Sequence, residues 1–206
     1  SDVYKRQILD DKLTKQKSYL LDSPVLTNSQ FKKIRDIFKD ELKTIDLSYE
    51  INEKNNLKSQ LDRIRSEAEE FVRGGAKNLV ITDENISEKR VPIPVILALG
   101  ALQSHLTNLG IRKFVSIHVK SAECLDTHYF AVLIGAGATT VNPYLTIDSI
   151  YQRFEKGLFG KLSFDECVQK YVKAINDGLL KIMSKMGISV LSSYRGGLNF
   201  QSLGLS

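Results

Sequence analysis

The feature that most constrains this chain is a repeated order: an amphipathic helix, a glycine stop, then a short strand rich in β-branched residues. Leu57, Leu61, Ile64, Ala68 and Phe71 recur at helical spacing, Gly74-Gly75 end the helix, and Asn78-Leu-Val-Ile-Thr82 reads as a buried strand. Pro92 and Pro94 suit a helix entrance, Val95 to Leu109 is the helix, Gly110 stops it, and Phe114 to Val119 is the strand. A third copy runs from Thr127 through Ile134 to Gly135-Ala-Gly-Ala138 and then Thr139 to Asn142; a fourth runs from Phe164 to Met186, through Gly187, into Ile188 to Tyr194. Helices alternating with strands at this spacing predict parallel βα units, because right-handed crossovers let each helix cover the sheet. The expected fold class is therefore α/β, a barrel-like or partial-barrel layer. The fourth copy stands ten residues before Ser206, so it reads as the opening of a further α/β domain and the chain as a fragment.

Other punctuation refines the order. Thr27-Asn-Ser-Gln30 and Ser163-Phe-Asp-Glu166 are capping-box patterns, ahead of helices at Phe31 to Leu42 and Phe164 to Met186. The second helix places Val168, Tyr171, Val172, Ile175, Leu179, Ile182, Met183 and Met186 on one broad face, which predicts packing between two layers. Tyr151 to Leu162, with Gly157 and Gly160 among mixed charges, reads as a linker. Ser1 to Gln7 resembles a non-native leader and is set aside.

Charge and cysteine usage exclude several classes. The balance of 29 Lys and Arg against 24 Asp and Glu leaves a net charge of +5, with the cations scattered beside acids, so no nucleic-acid footprint is expected. No apolar run approaches the ~18 residues of a membrane span. Two cysteines, Cys124 and Cys167, are too few for a disulfide framework or a paired-cysteine zinc site, which points to a reducing, cytoplasmic setting.

In α/β layers the chemistry sits where strands end, and here those ends carry Asp46 and Ser48, Thr82 and Asp83, Lys120 and Ser121, and Asn142. Polar residues also end strands simply because the chain re-enters water. Gly135-Ala-Gly-Ala138 follows a helix and precedes a strand, the reverse of a phosphate cradle, so it reads as a helix stop. Cys124 and His128 are four apart and would make a nucleophile pair on a helix; the competing reading is a core cysteine. His105 and His118 have no metal-ligand spacing. Arg195-Gly196-Gly197 follows a strand with the polarity that could hold a phosphate or carboxylate, or forms a surface turn.

Taken in order, these stretches resemble the large subunit of glutamate synthase, from the later part of its central domain into the start of its flavin domain. The resemblance rests on Gln7-Ile-Leu-Asp10, Val91-Pro-Ile-Pro94 with Leu97-Ala-Leu-Gly-Ala101, His128-Tyr-Phe-Ala131 with Gly135-Ala-Gly-Ala138, Val141-Asn-Pro-Tyr-Leu145, and Gly178 to Ser189 with Ser193-Tyr-Arg-Gly196. It implies a central domain at 8–146, a linker at 147–162, and the first βα element of an FMN-binding TIM barrel at 163–206. It also implies a parent enzyme that hydrolyses glutamine, channels ammonia to 2-oxoglutarate, and reduces the imine with FMN. Electrons would come through an iron–sulfur cluster from ferredoxin or an NAD(P)H-dependent small subunit.

On this reading the chain's neighbours are the glutaminase and FMN domains of the same polypeptide, it carries no catalytic or metal-binding residue, and it is inactive alone. Ser193 and Arg195 stand at the entrance of the FMN domain as the cofactor-binding candidates. The chain departs from the family pattern at Gln103-Ser104, Ala136, Leu198 and Gln201. The alternative is a non-catalytic α/β interaction domain derived from the same scaffold.

Overall fold

The computed structural model describes residues 23–52, 55–189 and 194–196. In chain order the elements are α1 (Asn28–Ile37), β1 (Leu42–Asp46), β2 (Ser48–Tyr49), α2 (Leu57–Arg73), β3 (Asn78–Thr82), β4 (Val91–Pro92), α3 (Val95–Asn108), β5 (Ser116–Lys120), α4 (Thr127–Gly135), β6 (Thr140–Asn142), α5 (Tyr144–Glu155) and α6 (Phe164–Lys185). β1, β3, β5 and β6 form one parallel sheet in that spatial order, while β2 and β4 make a small antiparallel ribbon.

The strand order follows the chain order without reversal. A doubly wound sheet needs a reversal to place helices on both faces; an unreversed order sends each connecting helix to the same side, which is how a barrel is wound. Here α2 packs on α3, α3 on α4, and α6 on both α4 and α5. Ile45, Leu79, Ile81, Ile117, Val119 and Val141 turn towards this helix layer and form the main core with Ile64, Ala68, Leu99, Leu102, Phe130 and Ile134. The expected partial barrel is thus present as a four-stranded parallel arc.

The inner face is different. Val80 and Leu42 meet Leu26, Phe31, Ile34 and Phe38, so α1 lies across the concave side of the arc as a second, smaller core. β3 is buried along its whole length because both of its faces are covered. Among the described residues β1 is an edge strand, with Lys43 and Thr44 exposed.

Most local readings hold, and the departures have physical causes. Both capping boxes form, at Thr27 with Gln30 and at Ser163 with Glu166. Gly110, Gly137 and Gly187 take φ values of 72°, 114° and 70°, the left-handed geometry that ends a helix most easily without a Cβ. The helix expected from Phe31 to Leu42 stops at Ile37, and Leu42 instead opens β1, where its backbone pairs with Asn78 of β3. The strand expected at Phe114 begins at Ser116, because Arg112–Phe114 close a 3-10 turn.

The stretch read as a linker, 147–162, contains most of α5, and Ile147 is buried against the main core; only the turns around Gly157 and Gly160 fit that reading. Hydropathy alone missed this helix because only one of its residues is fully buried. The sequence predicts a strand over Ile188 to Tyr194. Ile188 and Ser189 are irregular, Tyr194 is helical, and 190–193 lie outside the described residues. Among the described residues no helix is long and apolar enough to cross a membrane.

Candidate functional site at the carboxyl end of the sheet

Parallel strands bring Asp46, Thr82, Lys120 and Asn142 to one rim, in register, as the ends of β1, β3, β5 and β6. The sequence placed these residues on strand ends; the sheet brings them side by side. Each is then held by a different partner.

Asp46 Oδ1 accepts from the Ser48 backbone N–H and hydroxyl, both at 2.8 Å, and Oδ2 accepts from Asn85 Nδ2 at 3.0 Å and Arg90 Nη2 at 3.1 Å. Partial burial alone would raise this carboxyl; the hydrogen bonds and the Arg90 charge outweigh it and hold the pKa below the usual carboxylate range. Asp83 is buried beside β3 and accepts from Ser121 Oγ at 2.6 Å and from the Ala122 N–H at 3.0 Å. Lys120 pairs with Glu84 and lies over the rings of Phe31 and Tyr144, 5.8 and 5.4 Å from their centroids.

Burial, followed by the charge of Asp83, pushes the Tyr144 hydroxyl pKa up, so it serves as a hydrogen-bond donor rather than a base. Tyr129 donates to Glu123 Oε2 at 2.5 Å and is raised by burial and that same carboxylate.

The carboxylates of this rim are held by hydrogen bonds or ion pairs rather than activated. Cys124 is fully buried, and burial together with Asp83 and Glu123 drives its thiol pKa upward, away from the thiolate that nucleophilic chemistry requires. α4 begins only at Thr127, N-capped by Asp126, so Cys124 and His128 do not share a helix face. Of the two readings of Cys124, the core cysteine is the one the geometry carries.

His105 pairs with Glu69 at 3.1 Å. His118 is buried in the sheet, bridging Asn78 Oδ1 at 3.0 Å and Thr140 Oγ1 at 2.8 Å, and burial with the nearby Arg195 charge lowers its pKa to about 4. Among the described residues no group of three His, Cys, Asp or Glu side chains could hold a metal ion.

Arg195 sits at the opposite end of the arc. Its Nε and Nη2 donate to the carbonyls of Ala138 and Thr139 at 3.0 and 3.1 Å, on the turn that enters β6. Tyr194 donates to the Ala131 carbonyl at 2.9 Å, and a Cβ at Gly196 would lie 3.1 Å from Gln103 Nε2. Gln103 also accepts from Arg112 Nε at 2.5 Å, while Arg112 Nη2 donates to the Gly137 carbonyl at 2.7 Å. The Tyr194–Gly196 turn is therefore fastened to the α4–β6 junction. Ser193 lies outside the described residues.

Sequence reasoning missed the cleft beside α1. It measures about 660 Å³ and is lined by Lys32, Arg35 and Asp36 of α1 and Lys39 just beyond it, together with Lys120, Asn142, Tyr144 and Asp148. Nothing in a linear pattern says that a helix upstream of β1 will cross the concave face. β1 has Lys43 and Thr44 both exposed, and Thr44 lines this cleft.

Comparison with known proteins covers the whole described chain. The family model for the glutamate synthase central domain matches residues 3–206. The chain is 50% identical over 200 residues to the NADPH glutamate synthase large chain of Azospirillum brasilense, covering 97% of this chain and 13% of that protein. It is 39% identical over 186 residues to the corresponding large chain of Bacillus subtilis, covering 90% and 12%. To the ferredoxin-dependent glutamate synthase of Pyropia yezoensis it is 36% identical over 216 residues, covering 98% and 14%. The chain thus spans about an eighth of the length of the first two relatives. Among solved structures, a mutant flavocytochrome b2 with pyruvate bound superposes with a TM-score of 0.51 at 14% identity, over 88% of this chain and 56% of that one; the likeness is one of fold.

Proposed function

Since the chain belongs to the glutamate synthase family, as its central domain, we propose that it is the α/β wall between the glutaminase and flavin domains of an enzyme that makes glutamate. In that enzyme glutamine supplies ammonia by hydrolysis, the ammonia passes through the interior to 2-oxoglutarate, and the imine is reduced by FMN. The observation that carries this reading is the 50% identity to a glutamate synthase large chain over 97% of this chain.

The described residues support a supporting role rather than a reacting one. Every strand-end carboxylate is held by hydrogen bonds or an ion pair, and Cys124 is kept a thiol. An iron–sulfur cluster takes cysteine thiolates, and the two cysteines of this chain, Cys124 and Cys167, are both buried, which favours a cluster held by other parts of the enzyme. FMN chemistry, when the cofactor is bound, is hydride or electron transfer by its ring.

Arg195 and Ser193 remain the candidates at the entrance of the flavin domain, with 163–206 leading towards it. For Arg195 the role is one of positioning, since two of its nitrogens already hold the Ala138–Thr139 turn. The setting is cytoplasmic, and the electron donor is a nicotinamide-dependent small subunit or ferredoxin, as the names of the relatives divide.

The test is replacement. Exchanging the matching segment of the Bacillus subtilis large chain for this one, and assaying glutamate formation from glutamine and 2-oxoglutarate with each donor, should retain turnover and flavin absorbance. A folded chimera that keeps glutaminase activity but makes no glutamate would favour the non-catalytic interaction domain. The isolated chain should hold no flavin; a bound flavin spectrum would contradict the assignment of FMN to a neighbouring domain.

A further inference from the structure

Three consecutive carbonyls at the amino end of the arc, those of Gly137, Ala138 and Thr139, are shared by two guanidiniums. Arg112 Nη2 donates to the first at 2.7 Å, and Arg195 Nε and Nη2 donate to the next two at 3.0 and 3.1 Å. Arg112 also donates through Nη1 to the Val115 carbonyl at 2.6 Å and through Nε to Gln103 Oε1 at 2.5 Å, so its fork spans the entries to β5 and β6. Beside Arg195, the buried Tyr194 donates to the Ala131 carbonyl of α4 at 2.9 Å.

Neither arginine forms an ion pair among the described residues. Burial, then the charge of Arg195, lowers the Arg112 pKa from its ordinary value, yet a guanidinium stays protonated. Two like charges are tolerated here because the carbonyls they meet follow the carboxyl end of α4, where the helix dipole favours cations. Gln103 of α3 closes the arrangement. A Cβ at Gly137 would collide with its amide and one at Gly196 would stand 3.1 Å from its Nε2, and both glycines have positive φ, 114° and 68°. One side chain thus meets both the turn that receives Arg195 and the turn that carries it.

The geometry points to Gln103 and Arg112 as positioning residues for the flavin domain, acting through Arg195. Arg112 and Arg195 hold adjacent carbonyls of one turn, and Gln103 fixes Arg112 while it packs against Gly196. The path of the chain at Gly196 is thereby tied to α3 and to the entries of β5 and β6. What that path leads to is the flavin domain on the reading above, and the inference rests on that reading for its consequence. Loosening the turn would leave glutamine hydrolysis intact and misplace the site that consumes the ammonia.

Trypsin reads the turn directly, since it cuts after arginine. In the full chain the Arg195–Gly196 bond should be cut slowly, and Arg112→Gln and Gln103→Leu should each speed that cut roughly tenfold, with the cut after the exposed Lys185 as reference. Gln103→Glu keeps the shape and sets a carboxylate against Arg112, so it should slow the cut below the native rate; a side chain that only filled space would show no such gain. Should the first two variants fail to fold, Gln103→Glu decides. In the Bacillus subtilis chimera, Arg112→Gln should leave kcat and KM for glutamine hydrolysis unchanged while kcat for glutamate formation falls roughly tenfold. A native cleavage rate in the folded variants, or a parallel loss of hydrolysis and synthesis, would overturn the assignment. A chimera that makes no glutamate with the native segment would remove the synthase reading instead, and the trypsin rates would then decide the turn by themselves.

Discussion

His118, which the sequence left without a role, is given one by its neighbours. Its two ring nitrogens are spent on Asn78 and Thr140, across the arc from β3 to β6, and burial with the Arg195 charge holds its pKa at about 4 against an ordinary 6.5. A histidine whose folded pKa is depressed takes up a proton more readily when unfolded, so stability rises with pH between about 4 and 6.5 and is lost as pH falls through that window. The expected cost between pH 7 and pH 5 is about 2 kcal/mol from this residue. Urea unfolding of the native chain and of His118→Gln at both pH values checks it: the native chain should lose about that much more than the variant, and equal losses would refute the assignment. Cys124 gives a second expectation at this scale. In a Cys167→Ala background, a disulfide reagent at pH 8 should modify Cys124 only as fast as the protein opens, and denaturant should accelerate it by orders of magnitude.

Between elements, close approach decides more than propensity. Gly178 lies inside α6 where a Cβ would press on the Thr127 side chain at the first turn of α4. Helix propensity alone predicts that Gly178→Ala stabilises by about 1 kcal/mol. The contact predicts the opposite sign, a net loss on the order of 1–3 kcal/mol from overpacking. Thr127→Ala should recover much of that loss when combined with Gly178→Ala, a coupling that a double-mutant cycle in urea would measure and that independent sites would not show.

β3 was readable to the residue because the apolar run Leu79–Ile81, flanked by Asn78 and Thr82, lies between a glycine stop and Asp83 and is covered on both faces. α5 was not, since a helix that buries only Ile147 leaves a weak stripe. The capping boxes at Thr27 and Ser163 were visible because they are made by residues three apart.

At the scale of the molecule, among the described residues β3 and β5 are flanked by strands on both sides, whereas β1 has only β3 beside it. Amide exchange should therefore be slowest in β3 and β5 and faster in β1, with Thr44 among the quicker strand amides. Protection of β1 equal to β5 in the isolated chain would mean that its edge is covered there.

The order of helix, glycine and strand, read along the chain alone, determined the parallel α/β class, the strand ends that make the rim, and the family, because periodicity and ordered motifs are local properties of the sequence. Only the tertiary structure decided that α1 crosses the concave face, that Arg195 is committed to the Ala138 and Thr139 carbonyls, and that Asn142 keeps an acceptor unpaired among the described residues. Each of these depends on pairings between residues about 50 to 120 positions apart, which no spacing rule encodes and which the closing of the core imposes.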